Sequence, residues 1–184
     1  MTGSELIRWL LDGDISIRYQ TYRDLLMEDR PDLQHRIAGE GWGCRFLSLQ
    51  NANGHWGRKF YQPKWTSTHY TLLDLKNLGI TPEHAVLKNC VGMLLVQEKG
   101  PDGGINPSHN IRESDVCLNG MFLNYATYFG AHGNQLESIV DFIIKQQMDD
   151  GGFNCRFNRT GALHSSLHST LSVLEGIFEY SNRG

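Results

Sequence analysis

Two pairs of residues have the types and spacing to hold a metal ion: Asp115 with Cys117, and His164 with His168. Carboxylate, thiolate and imidazole are all groups that zinc accepts. A four-residue step places the two histidines on one face of a helix. The same residues have a plainer reading. Asp115 suits a helix cap, Cys117 a buried gap, and the histidines the wall of a pocket. The pairing is loose, so no tight zinc site and no other cofactor is expected. Asp115, His164 and His168 are the candidates for a catalytic role.

A second constellation is basic. Arg58, Lys59 and Lys64 precede one apolar stretch, Arg112 precedes a second, and Arg156 and Arg159 precede a third. Glu113 is the one acid among them. If the stretches are helices, their first turns carry unpaired N–H groups and partial positive charge, which favour an anion. A diphosphate is the candidate ligand, with His69 and Tyr70 at the start of the first stretch as further contacts. A solvated basic rim without a ligand accounts for the same residues.

The elements that would position these groups are read from an internal repeat. Gln50-Asn51-Ala52-Asn53-Gly54-His55-Trp56-Gly57, then Val96-Gln97 with Asp102-Gly103-Gly104-Ile105-Asn106, then Gln146-Gln147-Met148-Asp149-Asp150-Gly151-Gly152-Phe153-Asn154 are alike. Gly54 to Gly103 is 49 residues and Gly103 to Gly151 is 48, and a steady long period signals a repeat architecture. Apolar residues on either side recur at three and four, as in helices. The unit is helix, Gly-rich turn, helix. The helices after the turns are expected at 66–79, 114–130 and 163–180. Thr81-Pro82-Glu83 reads as a helix start, and Gly79 and Gly130 as helix stops. Residues 1–30 form an N-terminal helical hairpin broken at Asp12-Gly13-Asp14, and 31–50 a helix interrupted near Gly39-Glu40-Gly41. No boundary is evident, so 1–184 reads as one all-α domain.

The spacing of Gln50, Gly54 and Trp56 is similar to the QW motif of squalene cyclases. The Asp-Gly-Gly-Ile/Phe-Asn turns resemble those of protein prenyltransferase β subunits. The chain from about residue 40 onward thus resembles the α/α toroid superfamily of terpenoid cyclases and prenyltransferases. That resemblance implies a stack of helical hairpins in a partial ring, with the helices after the turns lining a cavity for an isoprenoid or its diphosphate. It also implies that Tyr70, Phe122, Tyr125 and Tyr128 are placed to stabilise cations. The family's zinc, held by Asp, Cys and His at such helix starts, finds its nearest match in Asp115, Cys117, His164 and His168. The cyclase acid motif D-x-D-D and the diphosphate-ionising D-D-x-x-D are missing, so activity stays open. An enzyme here would be an isoprenoid transferase or cyclase.

The net charge of −3 argues against global attraction to nucleic acid. No apolar run is long enough for a membrane span. No signal-peptide pattern opens the chain, and the four cysteines lack close spacing, so they read as reduced thiols and the location as cytoplasmic. The alternative function is a non-catalytic helical repeat protein that binds a lipid, a peptide or a protein partner. The repeats number fewer than a closed ring of this type, and the last helix is apolar without a following cover. Self-association or a missing second half is therefore expected.

Overall fold

The computed structural model of the chain describes residues 2–108 and 110–183. Every regular element among them is helical; two isolated β-bridges, Lys59–Gln62 and Lys99–Ile105, occur in turns. The residues fall into two compact units, Met1–His84 and Ala85–Gly184, where the sequence shows no boundary.

The first unit begins with α1 (Gly3–Leu11) and α2 (Ile15–Gln20). Thr2 and Glu5 cap α1 reciprocally: the Glu5 amide donates to the Thr2 hydroxyl and the Thr2 amide to the Glu5 carboxylate. Asp14 serves two helix starts, accepting from the Ser16 amide at 2.9 Å and from the Trp42 amide at 3.0 Å. Helix α2 runs on into a π-helical turn, Thr21–Leu25. The stretch 31–50 is interrupted at 37–40, giving α3 (Pro31–Arg36) and α4 (Gly41–Ser48). After the first Gly turn comes α5 (Thr68–Asn77). Ile15, Tyr19, Leu33, Ile37, Phe60, Leu72 and Leu75 are buried here.

The second unit contains α6 (Ala85–Gln97), α7 (Val116–Tyr128), α8 (Asn134–Lys145), the single turn α9 (Phe157–Thr160) and α10 (Leu167–Arg183). Helices α5, α7 and α10 occupy the three spans expected after the turns, each starting two to four residues late. Ser67 and Asp115, just before α5 and α7, stay extended, and Ser114 and Ser165 bond back to the turns ahead of α7 and α10. Helix α6 does not start at Pro82. Thr81 instead bonds the Glu83 carboxylate and its carbonyl accepts from the His84 amide, a closed turn that leaves the helix to begin at Ala85.

Gly79 and Gly130 end α5 and α7 with φ of 81° and 88°. The Ile80 amide reaches back to Leu75 and the Ala131 amide to Ala126, so both ends close as Schellman motifs. Helix α7 is the buried axis of the second unit, packed by α8 and α10. It meets α10 backbone to backbone: a methyl added at Gly176 would strike the Gly120 carbonyl, and one at Gly120 would strike the Ser172 carbonyl. The Asn124 amide donates to the Glu175 carbonyl at 3.0 Å across the same seam.

Candidate functional site

The three Gly turns are one device built three times. The amides of Asn51, Gly100 and Met148 donate to the carbonyls of His55, Gly104 and Gly152, at 2.8, 2.7 and 3.0 Å. Gly54, Gly103 and Gly151 hold φ of 84°, 89° and 85°, a region closed to most side chains. Asn53, Asp102 and Asp150 accept from the amide two residues on, at 3.1, 3.2 and 3.3 Å. The next amide, of Trp56, Ile105 or Phe153, then donates to a side chain on the following helix. The acceptors are Thr68 at 3.0 Å, Asn119 at 2.6 Å and Thr170 at 3.0 Å. These acceptors are spaced 51 residues apart in both intervals. Each turn is thereby clamped to the first turn of its helix.

Gln50 and Gln147 donate to the carbonyls of Gly54 and Gly151, inside the turn rather than at the helix end. In the second repeat the turn places Lys99, not Gln97, at the matching position. Trp56 is buried, and its indole N–H reaches the Phe46 carbonyl at 2.6 Å.

Two of the four metal candidates are committed elsewhere. Asp115 pairs with Arg159 at 3.0 Å. Cys117 lies against Cys155, their sulfurs in contact and their Cα atoms 6.0 Å apart. His164 and His168 are exposed. Among the described residues no group of three or more His, Cys, Asp or Glu is gathered to hold a metal. Asp102 and Asp150 are likewise tied down: Asp102 accepts from the Ser114 amide and hydroxyl at 2.7 Å each, and Asp150 from the Ser165 amide at 2.8 Å. The last contact helps hold the Asp150 carboxyl below its usual range.

The basic residues divide between the units. Arg112 and Arg156 are exposed, whereas Arg159 also donates to the Glu113 carbonyl at 2.9 Å, bridging two loops. Arg58, Lys59 and Lys64 are exposed on the loop between the first turn and α5. There they sit beside an aromatic cluster. His69 is buried, its ring edge-on to Phe60 at 5.5 Å and to Tyr70 at 5.0 Å. Burial holds its pKa down at about 3, so it is neutral. Tyr61 and Tyr70 join hydroxyls at 2.9 Å, and burial pushes the Tyr70 phenol up. Trp65 is 69% exposed with a left-handed φ of 75°. Its ring lies 4.8 Å from that of Tyr70, and the Lys64 ammonium stands 4.8 Å above it.

Sequence reasoning missed Tyr61 and Trp65. They lie outside the periodic apolar stretches, and their one signal is the density of aromatics and bases from 58 to 70. Phe122 and Tyr125 are fully buried in the second unit, and Tyr128 stacks under the Arg183 guanidinium at 4.8 Å. The segment of residues 57–70 therefore offers an exposed indole beside a lysine ammonium and a hydrogen-bonded phenol pair, suited to a ligand with an apolar body and an anionic head. No family model, curated protein or solved structure matches the chain.

Proposed function

We propose that this chain is an α-hairpin repeat domain of the terpenoid cyclase and prenyltransferase type, which holds an amphiphile such as an isoprenoid diphosphate. The observation that carries the reading is Trp65: a large indole held outward in a left-handed backbone, backed by Tyr70 and flanked by Lys64, with Arg58 and Lys59 exposed on the same loop. A bulky residue in that conformation is disfavoured by about 1–3 kcal/mol, and such outliers gather where a ligand is held. The indole and Tyr70 would take the hydrocarbon near the head, and the three bases would take the phosphates.

Calorimetry with farnesyl diphosphate, farnesol and pyrophosphate tests this. The diphosphate should bind more tightly than either half, and Trp65→Ala should weaken it about tenfold, roughly 1.4 kcal/mol. Equal binding of farnesyl diphosphate and farnesol, or no binding at all, would refute the site.

A second reading is a repeat scaffold for a protein or peptide partner. It is favoured by the commitment of Asp102, Asp115, Asn119 and Asp150 to structural bonds at or before the helix starts. Under it none of the three probes would bind.

A further inference from the structure

One face of α10 is buried through Ser169, Val173 and Gly176, against α7. Its opposite face carries Leu167, Leu171, Leu174 and Phe178, exposed by 80, 54, 56 and 68%. Their steps of four, three and four residues are those of a coiled-coil seam, which places all four in one stripe along the helix. Leu174, Glu175, Ile177, Phe178 and Ser181 line a shallow, open depression along this part of the helix.

The repeat itself marks this stripe as a helix-docking face. The 51-residue offset that maps Asn119 onto Thr170 also maps Gly120 and Asn124 onto Leu171 and Glu175. Gly120 and Asn124 are the α7 residues on which α10 is seated. The one change of size matters: where α7 has Gly120, α10 has Leu171. A further helix cannot approach α10 backbone to backbone there. It has to meet through interdigitated side chains.

We propose that this stripe is a homodimer seam, closed by antiparallel pairing with α10 of a second copy. The pattern is its own complement. Reversed on itself, Leu167 meets Phe178 of the second copy and Leu171 meets Leu174, and the two-fold axis repeats both layers. The flank agrees. His168 and Glu175, both exposed on the same side of the stripe, come opposite each other's counterparts, an imidazole donor against a carboxylate acceptor. A single 17-residue helix pair is a small interface, so a dimer of micromolar affinity is expected.

Sedimentation velocity of the full chain across the micromolar range tests the seam. The wild type should pass from monomer to dimer, and Leu171→Glu should stay monomeric with an unchanged helical circular dichroism signal. His168→Glu should raise the dimer Kd about tenfold by facing like charges, and adding Glu175→His should restore it. This charge swap does not disturb the apolar stripe, so it reads the pairing directly. A wild type monomeric throughout, a dimer surviving Leu171→Glu, or a swap that fails to rescue would each overturn the proposal.

Discussion

Asn119 shows what a single clamp residue contributes. Its carbonyl accepts from the Ile105 amide, and its amide donates to the carbonyls of Ile105 at 3.0 Å and Asp115 at 2.9 Å. Ile105 is fully buried, so its amide and carbonyl have no water to turn to. Asn119→Leu should cost about 3 kcal/mol or more, since it strands a buried donor and acceptor. Asn119→Thr keeps the acceptor that Thr68 and Thr170 provide and should cost clearly less; urea denaturation of both variants checks the order. His69 gives a pH prediction. The unfolded chain protonates this imidazole below about pH 6.5, while the folded chain keeps it neutral down to about 3. Its contribution is complete above pH 6.5 and declines as pH falls toward 3. At pH 5 the loss is about 2 kcal/mol. His69→Gln should flatten the fall in stability between pH 7 and 5; the comparison with wild type cancels the contributions of His84 and Asp74. An unchanged slope would mean that His69 is hydrated in the folded chain.

At the scale of elements, the contact between α7 and α10 sets two effects against each other. Replacing a helical glycine by alanine ordinarily gains about 1 kcal/mol. Gly176 has no room for the methyl, because the Gly120 carbonyl occupies its place. Overpacking against rigid backbone should win, and Gly176→Ala should destabilise by about 2–3 kcal/mol. A thermal melt that rises instead would show that the helices can separate freely. The helices were legible in sequence because apolar steps of three and four leave a strong pattern. Gly79 and Gly130 were legible because a left-handed helix stop leaves a mark in residue type. The start of α6 was not, since Thr81 and Glu83 bond each other in a way that mimics a cap. Nor was the Cys117–Cys155 contact: the two lie 38 residues apart, brought together only when the loop before α9 folds back on α7.

At the scale of the whole chain, the repeat is the organising fact, and it was visible in Gly54, Gly103 and Gly151. Its mechanism was not. Gln50 and Gln147 bond inside their turns, and Gln97 takes no part. The true partners, Thr68, Asn119 and Thr170, differ in type and follow loops of unequal length, so no alignment of the turns alone reveals them. The candidate site was half legible: its bases stood out, while Trp65 and Tyr61 lacked periodicity. The three turns are equivalent clamps, present in both units. Native-state hydrogen exchange of the Trp56, Ile105 and Phe153 amides tests it most directly. None of the three lies in a helix, yet each should be protected as strongly as the helix it is bonded to. Exchange of any of them at the rate of an open loop would contradict the account.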